Sequence, residues 1–468
     1  MTAPVTIRDL MTDPALFGGQ FGGESWAAWR ALLSGFYGLE LSEEELAHWQ
    51  AITGREEAPE SAHTELWLAI GRRGGKTQAA ALLAVFVACF IDHTARLSPG
   101  EVATIMAIAA DRKQARSLMR YTSGLLHSNP MLERLIVRED RESIELANRT
   151  VIEVGTASFR SVRGYTLAAV LCDEIAFWRS DESANPDAEI LAALRPALAT
   201  LGGPMIALSS PYSKRGELWR NYQRYFREPG DVLVAQAPSR VMNPELPQRL
   251  VDQAMERDRA AALAEYMAEF RMDLEAFVDP EALERLTRSE PLILPPEHFT
   301  RYRAFVDPAG GGADGFALAI AHRERSGRVV VDLVTERIRV NPAAVVQEYA
   351  ALLKQYGIST VTGDRYAGAW VSTEFERCGI RYEYSNWNRS ELYLDALAMF
   401  NSGAVELPPS DKMARQFQNL ERRTSRAGRD TIDHPRGLHD DLANAAAGAV
   451  VICGQYREVP RIEITFPT

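Results

Sequence analysis

The chain has 468 residues, of which 46% are hydrophobic and 25% are charged, and these ordinary globular values exclude a disordered or fibrous protein. This length is sufficient for two or three domains, each with a hydrophobic core of its own. The formal net charge of −11 argues against a uniformly basic nucleic-acid binder, although an acidic protein can carry a local basic groove.

The cysteines and the apolar segments indicate the compartment. The four cysteines are far apart and form no C-x-x-C pair: Cys89, Cys172, Cys378 and Cys453. We expect them to be reduced and structural in a cytosolic protein. Residues Met1 to Pro14 show no apolar segment typical of a secretory signal. The apolar run from Ala79 to Ile91 is shorter than the about 20 residues that span a bilayer, which predicts a buried helix.

Residues 1–60 are predicted to form helices beside the nucleotide site described next. Apolar residues recur there at helical spacing: Trp26, Trp29, Leu32, Leu33 and Phe36. The segment Ser42-Glu43-Glu44-Glu45 resembles a capping box at the start of a further helix. Gln50, which follows in that helix, could read an adenine edge, and a solvated glutamine at a helix end is the alternative.

A glycine-rich turn follows the apolar strand from Leu66 to Ile70 and precedes a helical pattern from Gln78 to about Ile91. This order predicts a phosphate-binding loop made of Gly71, Arg72, Arg73, Gly74, Gly75, Lys76 and Thr77. Glycines let backbone N–H groups converge on phosphate, Lys76 can reach the β- and γ-phosphates of ATP, and the Thr77 hydroxyl can ligate Mg²⁺. The common G-x-x-x-x-G-K-[ST] pattern has glycine where Ile70 stands, so this loop is one residue tighter. A chance glycine turn before a lysine is the alternative.

Strand and helix patterns alternate between Val102 and Leu208, which predicts a mostly parallel sheet with helices on both faces. The strand from Leu167 to Cys172 ends in Asp173 and Glu174. In an ATPase, Asp173 would hold the Mg²⁺ shell and Glu174 would polarise the attacking water. An acidic loop after a core strand is the alternative.

Two hydroxyls follow the next predicted strand, at Ser209-Ser210-Pro211. A side chain at this position could sense the γ-phosphate and transmit its loss to a neighbouring domain. On the hydroxyls alone, a plain turn is an equally good interpretation.

The pattern changes between about Pro238 and Pro296 to a charged helix, Leu250 to Leu274, with several prolines around it. This change predicts a helical connector and a linker. We therefore expect a helical segment over 1–60, an ATPase domain over 61–240, the connector over 241–297 and a second domain over 298–468.

The second domain shows hairpin signals, which predict antiparallel strands around the glycine turn at 310–312. Asp307 ends the strand that starts at Tyr302, Asp364 ends another, and Asp440-Asp441 opens an alanine-rich helix. Three carboxylates brought together would hold two divalent ions, Mg²⁺ or Mn²⁺, which stabilise the attacking and leaving oxygens of a phosphodiester. Singly, each aspartate would be a turn or capping residue.

Taken together, the acids after strand, strand and helix predict an RNase H-like nuclease domain of the α/β class. A metal phosphohydrolase of the His-Asp type, suggested by His439 beside Asp440, would need more histidines at helical spacing than this domain offers.

A local excess of positive charge lies close to these acids in the sequence: Lys412, Arg415, Arg422, Arg423, Arg426, Arg429 and Arg436. Such residues would neutralise backbone phosphates and position a duplex. A solvated charged loop is the alternative.

The order of these motifs resembles the large terminase subunit of tailed bacteriophages, and the resemblance covers nearly the whole chain. It is carried by the shortened, arginine-bearing loop 71–77, Asp173-Glu174, Ser209-Ser210-Pro211 and the acids at 307, 364 and 440–441. It implies a P-loop ATPase with a Walker A loop that pumps viral double-stranded DNA into a capsid, joined to an endonuclease that cuts concatemers. It also implies a homo-oligomeric ring on a portal protein, a small terminase subunit as partner, and no membrane.

The resemblance also implies an arginine that reaches the γ-phosphate of a neighbouring subunit's ATP, and Arg163 in Ser161-Val162-Arg163-Gly164 is the candidate. A surface arginine in a turn is the alternative, and Arg72 and Arg73 could serve the same phosphate within one subunit. A cellular helicase-nuclease or repair ATPase remains the alternative for the whole chain, and a second motor lobe would favour it. A capsid or scaffold protein without activity is disfavoured by the two sets of acids.

Overall fold

The fold was analysed in a computed structural model, which describes residues 5–157, 164–178, 186–271, 274–308, 315–364, 368–424, 430–435 and 438–455. The chain divides into two compact units, Met1–Met272 and Asp273–Thr468. Residues 241–271 of the expected connector therefore belong to the first unit, and residues 274–297 belong to the second.

The first unit alternates strands with helices after an N-terminal group of helices. Its helices are α1 (Ile7–Thr12), α2 (Gly18–Phe21), α3 (Ala27–Phe36), α4 (Glu43–Thr53), α5 (Lys76–Phe90), α6 (Arg112–Ser128), α7 (Pro130–Glu133), α8 (Pro186–Leu198), α9 (Gly216–Tyr225), α10 (Ser239–Met242), α11 (Gln248–Arg257) and α12 (Arg259–Met267). Its strands are β1 (Glu65–Ile70), β2 (Ala103–Ala109), β3 (Ile136–Glu139), β4 (Ser143–Leu146), β5 (Thr150–Thr156), β6 (Thr166–Asp173), β7 (Met205–Ser209) and β8 (Val232–Ala237).

These strands form one sheet in the order β3-β4-β5-β2-β6-β7-β1-β8. The five strands β2, β6, β7, β1 and β8 are parallel to their neighbours, and only the β3-β4-β5 edge contains antiparallel pairs. Strand β7 lies between β1 and β6, so the carboxyl ends of all three meet at one edge. Crevices at the carboxyl ends of parallel strands are the usual ligand sites of such sheets.

One N-terminal helix, α4, starts where the sequence predicted. Ser42 and Glu45 form the expected capping box at α4. Helices α3 and α4 pack closely because Gly35 leaves room for the Trp49 ring, and a Cβ at that glycine would lie 2.4 Å from the ring. The buried face of α3 joins the core formed with β1 and α5.

The prediction of a single helix from Leu250 to Leu274 is wrong. The chain forms α11 and α12 there, with a break at Asp258. The Asp258 side chain accepts a hydrogen bond from the Ala261 N–H and so caps the second helix. The prediction did not allow for Asp258, which can cap a new helix, and α12 ends at Met267, before Leu274.

The second unit contains a six-stranded sheet with helices and a smaller three-stranded sheet. Its strands are β9 (Leu274–Ala276), β10 (Tyr302–Asp307), β11 (Phe316–Arg323), β12 (Val329–Arg337), β13 (Thr360–Gly363), β14 (Arg381–Tyr384), β15 (Val405–Glu406), β16 (Glu421–Thr424) and β17 (Asp430–Asp433). Its helices are α13 (Pro280–Leu286), α14 (Pro342–Gln355), α15 (Gly368–Arg377), α16 (Arg389–Asn401), α17 (Asp411–Asn419) and α18 (Asp441–Gly454).

The larger sheet has the order β14-β13-β10-β11-β12-β15. Strands β10, β11 and β12 are antiparallel, as the hairpin signals predicted, whereas β13 and β14 run parallel to β10. The predicted fold class is therefore confirmed as α/β with two mixed sheets, the first mostly parallel. Among the described residues, no helix combines the length and the apolar character that a membrane crossing requires.

Helix α18 packs directly on β10 through a glycine. A Cβ placed on Gly448 would lie 2.3 Å from Cγ of the buried Phe305 ring. Because Phe305 stands two residues before Asp307 on the same strand, this contact holds the helix carrying Asp440 and Asp441 against the strand that ends in Asp307.

We therefore expect Gly448→Ala to destabilise the second unit by about 1–3 kcal/mol, the usual cost of overpacking a filled core. Differential scanning calorimetry of the full chain should show a lowered melting transition. Gly124→Ala is the matched control, because no atom lies within 4 Å of its Cβ position in α6 and alanine favours a helix. An unchanged melting profile for Gly448→Ala would contradict this packing role.

Candidate nucleotide and metal sites

The phosphate-binding loop follows β1 and ends at the first turn of α5. Gly75 caps the helix with φ of 91°, a value that favours glycine, and a Cβ there would lie 3.0 Å from Nε1 of Trp29. Arg73 also has a positive φ, 65°. The tight turn thus requires glycine at position 75 and holds the backbone of Arg73 in a strained conformation.

Side chains from α3 and from residues 239–243 hold the loop through its backbone carbonyls. The Trp29 indole donates to the Gly74 carbonyl at 2.8 Å. Ser239 Oγ donates to the Arg72 carbonyl at 2.6 Å, and Asn243 Nδ2 donates to that of Arg73 at 2.9 Å. The N–H groups in the first turn of a helix have no intrahelical acceptor, so those at the start of α5 suit an anion.

Lys76 lies buried at the centre of this edge, with only 6% of its surface exposed. Its Nζ donates to the Ile70 carbonyl at 3.0 Å and to Ser210 Oγ at 2.8 Å. It also lies 3.5 Å from Glu174 Oε1. One ammonium therefore connects the ends of β1, β7 and β6.

Glu174 is fixed by the serines that follow β7. Its Oε2 accepts hydrogen bonds from Ser209 Oγ at 3.0 Å and from the Ser210 N–H at 3.1 Å. The backbone of Glu174 is left-handed, with φ of 51°. A non-glycine residue in this conformation is frequent at functional sites, where the surrounding contacts compensate the strain.

Asp173, at the end of β6, is buried and its Oδ1 has no hydrogen-bond partner in the described part of the chain. Burial, and secondly the charge of Glu174, raise the pKa of Asp173 to about 7. An unpartnered buried carboxylate oxygen costs free energy unless a cation or a donor meets it. The site thus fits the Mg²⁺ that accompanies ATP, with Thr77 and Asp173 as candidate ligands.

A cleft of about 610 Å³ lies over the loop. Lys76, Thr77 and Glu174 are among its polar lining residues, and its apolar lining includes Trp26, Tyr121, Met242, Leu246 and Pro247. The helical spacing of the tryptophans predicted only helix packing and gave no sign of this apolar lining, since residues after β8 reach the cleft only in the folded sheet.

The two loop arginines differ in position. Arg73 lines the cleft, whereas Arg72 pairs with Glu265 at 3.2 Å. Gln50 is exposed on α4 and donates to the Glu56 carbonyl at 2.7 Å, and it is not among the residues that line this cleft. Its adenine contact remains a prediction. Arg163 lies outside the described residues.

In the second unit, the strand register brings two of the predicted acids to neighbouring positions. Val306 of β10 pairs in parallel with Gly363 of β13, so Asp307 and Asp364 follow at adjacent strand ends. Gly363 is required here because a Cβ would lie 2.2 Å from the Tyr382 hydroxyl, which donates to the Asp364 carbonyl.

The pair Asp440-Asp441 stands at the start of α18, and its two members have different partners. Asp440 is buried and accepts a hydrogen bond from Tyr393 Oη at 2.8 Å, and Arg389 Nη1 lies 3.4 Å away. Asp441 is half-buried and accepts from the Gly315 N–H at 2.9 Å. Of the two, Asp440 is therefore the one that a cationic side chain already balances.

Asp307 is buried, and burial is the main cause that raises its pKa to about 8. Asp440 and Asp441 add to this effect through their charge, while a hydrogen bond from Asn444 Nδ2, at 2.7 Å, opposes it. Burial also raises the pKa of Asp441, with a contribution from Glu336 on β12. The charges of Asp440 and Asp441 thus reach Asp307, and carboxylate oxygens are the ligands that hard divalent cations take.

Glu336 is a member of this acidic group that the sequence analysis missed. A Cβ on Gly315 would lie 2.2 Å from its Oε1, and it forms an ion pair with Lys412. Lys412 was predicted as one of the basic residues that contact backbone phosphates. In the structure its charge balances Glu336. Arg426, Arg429 and Arg436 lie outside the described residues.

A second group of candidate ligands overlaps with the first. Atoms of Asp433, His434 and Asp440 lie within 4.8 Å of one another. Arg389 approaches two of them, at 3.4 Å from Asp440 and 3.9 Å from Asp433. Its guanidinium therefore supplies the positive charge at this group.

No protein-family model matches the sequence, nor does any curated protein. Among solved structures, the large terminase of bacteriophage HK97 matches with 14% identity and a TM-score of 0.38, over 83% of this chain and 91% of that one. The large terminase of a thermophilic bacteriophage matches with 11% identity and a TM-score of 0.38, over 85% of this chain and 95% of that one.

The large terminase nuclease of thermophilic phage G20c matches with 18% identity and a TM-score of 0.32, over 38% of this chain and 97% of that one. The first two structures match most of this chain, and the third matches 38% of it. They belong to the family that the sequence motifs resemble. The roles proposed below rest on the residues of this chain.

Trp29→Phe tests the support of the phosphate-binding loop. The change keeps an aromatic ring in the core but leaves the Gly74 carbonyl without its donor, which typically costs about 1–3 kcal/mol. We expect the affinity for a non-hydrolysable ATP analogue, measured by calorimetry, to fall about tenfold, or about 1.4 kcal/mol.

Trp49→Phe provides the control, because Trp49 is equally buried and its indole donates to the Glu57 carbonyl at 3.0 Å, among residues that do not line the cleft. It should bind the analogue as the wild type does. Equal losses in both variants would mean that the effect comes from the core and not from the loop.

Proposed function

We propose that this protein is a viral DNA-packaging motor, an ATPase that translocates double-stranded DNA into a capsid and a metal-dependent endonuclease that cuts concatemeric DNA. The observation that carries the proposal is the presence, in one chain, of a phosphate-binding loop connected to Glu174 and of a separate carboxylate site at Asp307. A motor and a nuclease in one chain suit a task in which DNA is moved and then cut.

The residues around Lys76 support ATP hydrolysis. Its ammonium, within reach of Ser210 and Glu174, would bind the β- and γ-phosphates together with the N–H groups at the start of α5. Glu174 would orient and deprotonate the attacking water as general base. When bound with ATP, Mg²⁺ would neutralise charge on the phosphates, and Thr77 and Asp173 are its proposed ligands.

The serines after β7 would couple hydrolysis to movement. Ser209 and Ser210 hold the Glu174 carboxylate, and Ser210 also accepts from Lys76, so a change at the γ-phosphate alters the contacts of this strand end. A strand end bonded to both the base and the phosphate-binding lysine is a suitable two-state element. Arg163 stays a prediction for the arginine that acts on a neighbouring subunit.

The nuclease activity would use Asp307, Asp364 and Asp441 as metal ligands. Two bound Mg²⁺ or Mn²⁺ ions would supply an activated water and stabilise the leaving oxygen of the phosphodiester. Asp440, the remaining predicted ligand, is held by Tyr393 and Arg389, and we assign it the role of placing Arg389 beside the site. There the guanidinium can attract a backbone phosphate.

Proposed partners follow from this function: double-stranded DNA, a portal protein, a small terminase subunit, and further copies of this chain in a ring. A helicase-nuclease would carry a second motor lobe, and the described part of the second unit instead contains a sheet with three antiparallel strands and no copy of the first sheet.

Glu174→Gln is expected to bind ATP with nearly unchanged affinity and to hydrolyse it about 10²-fold or more slowly, because the amide cannot accept a proton from water. Lys76→Ala should lose both binding and hydrolysis. Glu133→Gln, an exposed acid of the same unit, is the control. DNA-stimulated phosphate release is the measurement, and near-normal turnover by Glu174→Gln would exclude the assigned base.

Asp307→Asn and Asp364→Asn should each abolish plasmid nicking in Mn²⁺ and leave the ATPase rate intact. Each amide removes a ligand charge and nearly preserves the shape of the side chain, so folding should survive. Asp395→Asn, an exposed aspartate on α16, should nick as the wild type does. Nicking that persists in Asp307→Asn would place the nuclease elsewhere or remove it from the protein.

A further inference from the structure

We propose that Asn444 is a positioning residue of the acidic metal site, which fixes Asp307 through its Nδ2 and presents its own Oδ1 to a bound divalent cation or to a water of that cation. This inference rests on the proposed nuclease function and adds a residue that the acidic motif does not contain. Three observations on α18 and β10 support it.

The first observation is the contact itself. Asn444 Nδ2 donates to Asp307 Oδ2 at 2.7 Å, and both side chains are buried, with 1% and 7% exposure. A donor on one carboxylate oxygen fixes the plane of the carboxyl group. Residues that orient metal ligands in this way typically change metal affinity by 10–100-fold when they are replaced.

The second observation is an unpartnered oxygen. Asn444 Oδ1 is buried and has no hydrogen-bond partner in the described part of the chain. Such a group costs free energy while it has no partner, and buried unpaired oxygens commonly mark an ion or a water. Neutral amide oxygens are ordinary ligands of hard divalent cations. Since Oδ1 belongs to the amide that contacts Asp307, a cation bound by Asp307 lies in its neighbourhood.

The third observation is the placement of Asn444 on the helix. It lies one turn after Asp440 and Asp441, and its N–H donates to the Asp440 carbonyl at 2.7 Å. Residues three positions apart share one face of a helix, so Asn444 lies on the same face as Asp441, whose charge acts on Asp307 at the end of β10. The close packing of Gly448 on Phe305 fixes this face against the strand.

The test is Mn²⁺ binding to the full chain without nucleotide, measured from the signal of free Mn²⁺ by electron paramagnetic resonance. The component that Asp307→Asn removes defines binding at the acidic site. Asn444→Leu keeps a similar side-chain volume but has neither the donor nor the oxygen. We expect its affinity for this component to fall about tenfold or more.

Gln416→Leu is the matched control. Gln416 is also buried, and its Oε1 accepts from the Ala443 N–H of the same helix at 3.0 Å, but none of its described contacts is with an acid of the site. It should keep the wild-type Mn²⁺ affinity. The metal-free melting temperature of Asn444→Leu should stay within a few degrees of the wild-type value. Removing the unpaired oxygen stabilises the fold, and this offsets the loss of the hydrogen bond to Asp307.

Unchanged Mn²⁺ affinity in Asn444→Leu would overturn the inference, as would equal losses in Asn444→Leu and Gln416→Leu. If Asn444→Leu does not fold, Asn444→Ser takes its place, with the same expected direction. The proposed function fails in a different way: wild type and Asp307→Asn would then bind Mn²⁺ equally, and no component would be left to compare.

Discussion

The parallel pairing of β1, β7 and β6 brings three strand ends to one edge of the first sheet, and a single buried ammonium joins them. Lys76 contacts the Ile70 carbonyl from β1, Ser210 from β7 and Glu174 from β6. Charged groups interact more strongly in a buried site than in water, so this cation balances the negative charge of Glu174 and Asp173. The cleft, the orientation of Glu174 and the proposed coupling all depend on this arrangement.

The second unit uses the same geometry with carboxylates at the strand ends. Parallel β10 and β13 end in Asp307 and Asp364, and α18 brings further acids to this edge. Burial raises the pKa of Asp307 for the same physical reason as that of Asp173. Both sites thus hold a carboxylate in surroundings that disfavour its charge, which is the condition under which a divalent cation contributes most.

Neighbouring side chains hold individual groups of both sites in place. Trp29 and Asn243 hold the carbonyls of the phosphate-binding loop, while Tyr393 and Asn444 hold the acids of the second site. Each of these contacts fixes the direction of a group that would otherwise rotate or relax. Preorganised groups lose no free energy in reorientation when a charged substrate arrives, which explains why such partners accompany sites for phosphate chemistry.

The sequence by itself determined the local motifs: the loop before Lys76, the acids at the ends of strands, and most element positions, because these depend on glycine, on apolar periodicity and on caps within a few residues. It predicted Asp307 and Asp441 as members of one site but gave no sign of Glu336 or Asn444, whose roles arise from contacts across the fold. Only the tertiary structure showed that Arg72 and Arg73 have different surroundings, and that Asp440 and Asp441 have different partners. Residues adjacent in sequence share composition and context, and their different partners are decided by distant strands and helices that pack against them.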